Sequence, residues 1–197
     1  MSEEEEGEPL ERLPLFPLTS VVLPGGRLPL RLFEPRYLDM VSECLRHDTG
    51  FGICLIRQGG ETGEAALPYG TGTEVRIIDW DRQPDGLLGI TVEGRQKVRI
   101  HDLSVEANQL LVGQVSRLPP EPSEPVPPDC AMLVDVLRQT LGQLDAFVEY
   151  DAPQWDDAAW VGGRLTELIP LPPRIRQFLL ELDNPTARLH ELRHALK

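Results

Sequence analysis

Three residues near the C-terminus, His190, Glu191 and His194, have the spacing of a zinc hydrolase motif. In H-E-x-x-H, two histidines one helical turn apart bind Zn²⁺, and the glutamate between them activates a water molecule. Leucines at helical spacing in this segment predict a helix whose buried face lies opposite the two histidines. A third ligand would have to come from the first half of the chain. We therefore interpret the motif as a chance match on a solvated helix and expect no bound metal, with a small zinc-dependent hydrolase as the alternative.

Other arrangements that could perform catalysis are incomplete. Cys54 and His101 could form a thiol nucleophile and its base, but Cys54 lies in an apolar segment and is expected to be a core residue. A P-loop requires a Gly-Lys pair, and the sequence contains none. Gly70-Thr71-Gly72 begins like a dinucleotide-binding loop but leads into a predicted strand instead of a helix. We expect neither a cofactor nor an enzymatic activity.

Groups of aspartates and tryptophans allow weaker interpretations. Asp79, Asp81 and Asp85 surround a predicted turn and could hold a cation loosely, but turn chemistry explains them without one. The three tryptophans, at positions 80, 155 and 160, are too scattered to form a base-stacking platform. Neither group therefore predicts a ligand.

The bulk composition is that of a folded, acidic protein. The chain has 197 residues, of which 41% are hydrophobic, and a net charge of −13. This charge argues against nucleic acid, since phosphate binding requires clustered lysine and arginine. We expect residues 1–12 to form a disordered acidic tail, without the apolar core of a signal peptide, and we expect no membrane span. Three widely spaced cysteines fit reduced thiols and predict a cytoplasmic location; the oligomeric state is left open.

Residues 13–118 have the patterns of a β-rich half. Alternating or continuous apolar residues predict strands at 13–18, 27–32, 51–57, 71–81, 87–92, 97–103 and 109–118. One helix is predicted at 35–46, with Pro35 in its first turn. Gly94 interrupts the strand pattern and predicts a bulge or a tight bend, as a closing barrel requires.

The composition changes after residue 118. Residues 119–128, PPEPSEPVPP, predict a semi-rigid linker that is neither sheet nor helix. In residues 129–197 apolar side chains recur at helical spacing and predict four helices. Asn184 followed by Pro185 has the pattern of an N-cap and the first residue of the last helix.

Three sequence blocks resemble one known family. Residues 13–37 contain LPLFPL, a Pro-Gly-Gly turn and FEPRY; residues 70–103 combine a Gly-Thr entry, a D-G hairpin and the return VEGRQKVRI. Residues 167–192 join a Leu-Pro turn to a leucine-rich helix and a short final helix. In this order and spacing, the blocks are similar to the N-terminal, substrate-binding domain of the ATP-dependent Lon proteases.

The resemblance implies an α+β fold in which a PUA-like, mostly antiparallel β-barrel is followed by a C-terminal α-helical bundle. In Lon proteases this unit captures unfolded or tagged polypeptide. No Ser-Lys protease site accompanies it here, because Lys97 lies in a predicted strand and Lys197 is the last residue. We expect a bacterial, stand-alone, non-enzymatic module that binds unfolded or tagged polypeptides or a partner protein, as an adaptor or unfolded-segment binder. RNA binding, by analogy with other PUA-like folds, is an alternative.

The block Phe33-Glu34-Pro35-Arg36-Tyr37 supplies the candidate binding residues. In a structural interpretation Phe33 closes the barrel, Pro35 starts the helix, and Arg36 pairs with Glu34 or a nearby carboxylate. In a functional interpretation Phe33, Glu34, Arg36 and Tyr37 border a groove beside the sheet where a peptide lies. An exposed apolar groove between the two halves, or a free strand edge, is the alternative peptide site.

Overall fold

Six strands form the first half of the chain in the computed structural model, which describes residues 9–144, 150 and 152–196. Most of the predicted acidic tail lies outside these residues, and the first strand already begins at Glu11. The strands are β1 (Glu11–Leu18), β2 (Arg27–Leu32), β3 (Phe51–Gln58), β4 (Leu67–Arg82), β5 (Leu88–Val105) and β6 (Leu111–Arg117).

The strands build one mixed sheet. Their order is β2-β5-β4-β3-β1-β6, and β5 pairs additionally with β6. β1 and β3 are parallel, whereas the other pairings are antiparallel. The sheet therefore places β2 at one end of the order, where it pairs with β5.

The predicted strands at 87–92 and 97–103 are one continuous strand, and the bulge predicted at Gly94 is confirmed. Opposite it, Val75 pairs with Gly94 and Glu74 pairs with Gln96, so the register shifts by one residue, as a bulge requires. A Cβ at position 94 would lie 2.3 Å from the carbonyl oxygen of Leu23. Glycine is needed because the backbone of the β1–β2 loop approaches this closely.

Helices follow the apolar periodicities. They are α1 (Pro35–His47), α2 (Ala131–Gln143), α3 (Ala158–Leu168), α4 (Pro173–Glu181) and α5 (Pro185–Ala195), with a 3₁₀ turn at Pro128–Cys130. The side chain of Asn184 accepts a hydrogen bond of 2.7 Å from the amide of Ala187, so the predicted N-cap is confirmed. Among the described residues, no helix has the length and apolar character that a membrane crossing needs.

Two hydrophobic clusters account for most of the core. The first packs Tyr37, Met40 and Val41 of α1 against the sheet, including Phe16 and Phe51. The second unites the helices that follow residue 128, with fully buried members such as those at positions 133, 137, 161, 165, 189 and 192.

Buried charges join these helices to the sheet. Lys97 of β5 lies 3.0 Å from the carboxylate of Glu121, and Arg188 of α5 binds both oxygens of the same carboxylate. The Lys97 ammonium also donates to the carbonyl oxygens of Leu180 and Leu182, at 3.2 and 3.1 Å. We call Lys97, Glu121 and Arg188 the Glu121 cluster; the predicted linker thus supplies the acid that ties α5 to β5.

A second polar junction connects α3 and α4 to the sheet half. The buried guanidinium of Arg164 lies 2.8 Å from Glu167, whose carboxylate also accepts from the amide of Leu23 at 2.6 Å. The amide of Gln177 donates to the carbonyl oxygen of Thr71 at 3.0 Å. The contacts of Arg164 and Glu167 fix the loop between β1 and β2, and the contact of Gln177 joins α4 to β4.

Candidate functional site

A groove opens where β2 ends and α1 begins. It is lined by residues 29–34 together with Phe16, Leu18, Tyr37, Glu61 and Thr62, and its volume is about 200 Å³. Most of its lining is apolar, and β2 forms one of its borders. We call it the Phe33 groove.

Phe33 is the exposed aromatic side chain of this groove. The alternation of β2 ends at Leu32, which is 1% exposed, whereas the Phe33 side chain is 58% exposed. The expectation that Phe33 closes a barrel is therefore wrong. An exposed phenylalanine next to buried apolar side chains is typical of a binding surface, because a partner that covers it removes apolar area from water.

Tyr37 forms part of the groove lining, and its role in binding a peptide stays a prediction. Its ring lies 3.9 Å from that of Phe16, centroid to centroid. Burial raises the pKa of Tyr37 to about 12; Arg36 opposes this shift, and the carboxylates of Glu34 and Glu61 add to it. The groove therefore has an apolar floor with negative charge beside it.

Arg36 is buried beside the groove and stabilises the surrounding fold. Its side chain is 5% exposed and pairs with Glu34 at 2.8 Å, as predicted. It also donates to the carbonyl oxygen of Gln109 at 2.9 Å and lies over the ring of Tyr37, 4.9 Å from the centroid. Arg36 thus holds the start of α1 against the turn before β6, and the hypothesis that it lines the groove is wrong.

The His190-Glu191-His194 segment lies on α5 as predicted, but it does not form the zincin arrangement. Asp129, Cys130 and His190 bring their ligand atoms within 4.8 Å of one another, and among the described residues this group includes neither Glu191 nor His194. The His190 side chain is 39% exposed and lies 3.3 Å from the carboxylate of Asp129, and His194 is exposed, so both histidines reach the solvent side of the helix. The guanidinium of Arg193 binds the same carboxylate.

The other candidates for catalysis also lie where the fold itself accounts for them. Burial raises the pKa of the Cys54 thiol to about 12, which disfavours the nucleophilic thiolate. His101 hydrogen-bonds the hydroxyl of Ser116 at 2.8 Å. The predicted hairpin aspartates serve the turn; the carboxylate of Asp85, for example, accepts from the amide of Leu87 at 3.1 Å.

The tryptophans divide between the two halves of the chain. Trp80 is 62% exposed on β4. Trp155 and Trp160 contact each other, with centroids 5.2 Å apart and rings nearly perpendicular, so these two are not scattered. Their packing with Tyr150 belongs to the helical core.

The cavity between the sheet and the helices is the other place where a peptide site was expected. Its volume is about 290 Å³, and Lys97, Glu121, Trp160 and Arg188 are among its lining residues. Three of these four are the members of the Glu121 cluster, whose hydrogen bonds are made within the chain. The cavity is thus charged at one wall, whereas Leu23, Pro24, Pro119, Pro120 and Trp160 make other parts of its lining apolar.

A mixed sheet with helices joined to it by buried charges, and an open groove at its edge, define an α+β fold. The family model described as the ATP-dependent protease La (LON) substrate-binding domain matches residues 12–197, and the chain belongs to this family.

Solved structures agree with this assignment. A Lon N-terminal domain protein from Xanthomonas campestris is 41% identical, with 92% of this chain and 96% of that chain covered and a TM-score of 0.76. The N-terminal domain of a Lon protease of the Mycobacterium avium complex covers the same shares at 15% identity and a TM-score of 0.63, and it shows the fold alone.

Curated relatives match over shorter regions. The cereblon protein of Danio rerio is 28% identical over 113 residues, which are 56% of this chain and 26% of that protein. Lon protease 2 of Myxococcus xanthus is 30% identical over 100 residues, which are 50% of this chain and 12% of that protein. The chain therefore matches only a small part of these relatives.

Proposed function

We propose that the chain is a non-enzymatic polypeptide-binding module that recognises unfolded or tagged segments, as an adaptor or unfolded-segment binder. The observation that carries this proposal is the exposed Phe33 in an apolar groove of a chain that belongs to the LON substrate-binding family. The Lon protease relatives suggest that the bound molecule is polypeptide. The absence of a Gly-Lys pair from the sequence supports a role without ATP hydrolysis by a P-loop.

Within this proposal, Phe33, Glu34 and Tyr37 are the binding residues of the groove, and Arg36 holds the start of α1 against the turn before β6 without contacting the peptide. We also propose that the sheet closes into a PUA-like barrel; the additional pairing of β5 with β6 supports this. The three cysteines are unpaired and buried, which supports a location in a reducing compartment such as the bacterial cytoplasm.

The test measures binding of a permanently unfolded protein, reduced and alkylated lactalbumin, by fluorescence anisotropy. We expect measurable affinity and a loss of roughly tenfold or more in the Phe33→Ala variant, since exposed aromatic anchors dominate such interfaces. The matched control is Leu45→Ala, which truncates a side chain that is 47% exposed outside the groove. Equal binding by both variants would remove the groove from the proposal, and no binding by the wild-type chain would remove the function.

A further inference from the structure

Building on the function proposed above, we propose that the bound molecule is an extended, largely apolar segment that carries lysine or arginine. We further propose that it binds by adding a strand to the free edge of β2, with an apolar side chain seated in the Phe33 groove. The proposal deepens the general function because it specifies the conformation and the charge of the segment.

The free edge of β2 can accept a strand. β2 pairs with β5 on one side, from Arg27–Glu93 to Leu32–Leu88. Pro29 lacks an N–H and fits a strand only where its nitrogen faces away from the ladder. Because backbone polar groups alternate in direction along a strand, the N–H of Arg31 and the carbonyl oxygens of Pro29 and Arg31 face the same free side. Among the described residues, no hydrogen bond outside the ladder uses these three groups.

The groove lies directly along this edge. Pro29 and Arg31 are exposed, whereas Leu30 is only partly exposed and Leu32 is buried. All four line the groove together with the exposed ring of Phe33. A segment added beside β2 would place alternate side chains on the apolar side of the groove, which is how strand addition obtains specificity. The volume of about 200 Å³ is below the range of about 300–1,000 Å³ for drug-sized ligands and suits one or two side chains.

The charges around the groove favour a basic segment. The guanidinium of Arg31 pairs with Asp85, and that of Arg36 pairs with Glu34. Glu61 has no cationic partner among the described residues; it accepts hydrogen bonds from the amide and the hydroxyl of Thr19, at 2.7 and 2.6 Å. One carboxylate therefore remains uncompensated at the groove, which attracts positive charge and repels negative charge.

The first experiment compares two synthetic eight-residue peptides, valine alternating with lysine and valine alternating with glutamate, by fluorescence anisotropy. We expect the lysine peptide to bind about tenfold more tightly than the glutamate peptide at low salt, with the difference reduced at high salt. The Glu61→Gln variant should lose much of this preference. A glutamate peptide that binds as well as the lysine peptide would overturn the proposed charge of the segment.

The second experiment tests strand addition with two N-methylated forms of the lysine peptide. One form carries methyl groups on the odd-numbered amides and the other on the even-numbered amides. Only one of these sets can face β2, so we expect one form to lose about two- to tenfold in affinity for each hydrogen bond removed and the other form to bind like the parent. If both forms bind like the parent while Phe33→Ala still weakens binding, strand addition is wrong and the general function stands.

A protein variant separates the backbone of Arg31 from its side chain. Arg31→Pro removes the edge N–H and the pairing with Asp85, whereas the control Arg31→Ala removes only the pairing. We expect the proline variant alone to weaken peptide binding, with thermal unfolding confirming that both variants fold. Size-exclusion chromatography tests whether a second copy of the chain occupies the edge of β2. A dimer that Arg31→Pro dissociates, but that the lysine peptide fails to dissociate, would overturn the proposal. If neither the peptide nor unfolded lactalbumin binds the wild-type chain, the general function fails as well.

Discussion

The junction between the sheet and the helices differs from the Phe33 groove in how its polar groups are used. At the junction, Lys97 and Arg188 are buried, the side chain of Glu121 is 9% exposed, and the three side chains bind one another and backbone carbonyl oxygens of the chain. At the groove, an aromatic ring is exposed and a strand edge keeps unpaired backbone groups. The junction charges therefore bind one another, whereas the groove leaves apolar area exposed and the edge of β2 leaves backbone groups without a strand partner.

A substitution at the junction should lower the free energy of unfolding more than any other proposed here. Glu121→Gln removes the carboxylate that pairs with the fully buried Arg188, whereas Lys97 keeps Asp183 at 2.9 Å. We expect the free energy of unfolding to fall by about 3–5 kcal/mol, because breaking a buried ion pair leaves an uncompensated charge. Urea unfolding followed by circular dichroism measures this change. Peptide affinity of the folded fraction should be unchanged, since the cluster does not line the groove.

The matched control is Glu43→Gln, which breaks an exposed pair with Arg46 on α1. We expect it to change the free energy of unfolding by at most about 0.5 kcal/mol. Equal effects of the two substitutions would contradict the distinction between buried junction charges and surface charges.

This junction also shows what local sequence patterns miss. The predicted strand at 27–32 and the start of α1 at Pro35 are confirmed, because alternation and a helix-opening proline are local signals. The partner of Glu121 is Arg188, 67 residues away, and a pattern read along the chain carries no information about such a pairing. The proline-rich composition of residues 119–128 favours a linker and conceals the buried acid within it.

Local sequence patterns also predict only some of the residues around the groove, because others depend on contacts with distant parts of the chain. Tyr37 lines the groove, because the spacing of α1 places this side chain toward the sheet. The burial of Arg36 depends on where the turn before β6 lies, which local pattern does not determine. The one available signal for the exposure of Phe33 was that this residue follows the last alternating residue of a strand and precedes a helix-opening proline.

Substitution of Arg36 should lower stability by a smaller amount and, unlike substitution of Phe33, should leave peptide affinity nearly unchanged. Arg36→Ala removes the hydrogen bond to Gln109 and the pair with Glu34, and we expect the free energy of unfolding to fall by about 1.5–3 kcal/mol, as for hydrogen bonds to charged groups. Affinity for the lysine peptide, measured on folded protein, should change little. The control Arg46→Ala removes an exposed arginine of the same helix and should alter stability by about 0.5 kcal/mol or less. A loss of binding without a loss of stability would make Arg36 a contact residue.

The smallest change in stability is expected from the ionisation of two tyrosines, one in the sheet half and one in the helical half. Burial raises the pKa of Tyr37 in the groove to about 12, and burial also raises the pKa of Tyr150 beside Trp160 to about 12. Below pH 10 both side chains are neutral in the folded and unfolded chain. As the pH rises from about 10 to about 12, the unfolded chain loses these protons first, so the free energy of unfolding falls.

Removing one hydroxyl should remove its share of this alkaline loss. In Tyr37→Phe, we expect the decrease in the free energy of unfolding between pH 8 and pH 11 to be smaller than in the wild type by roughly 1 kcal/mol; Tyr150→Phe should act in the same direction. Urea unfolding at the two pH values measures both variants. A peptide of valine alternating with arginine, which stays charged at these pH values, distinguishes them, because covering the groove should change the alkaline titration of Tyr37, seen in the absorbance of tyrosinate, and leave that of Tyr150 unchanged. A peptide that shifts both titrations, or only that of Tyr150, would place the binding surface at the helices.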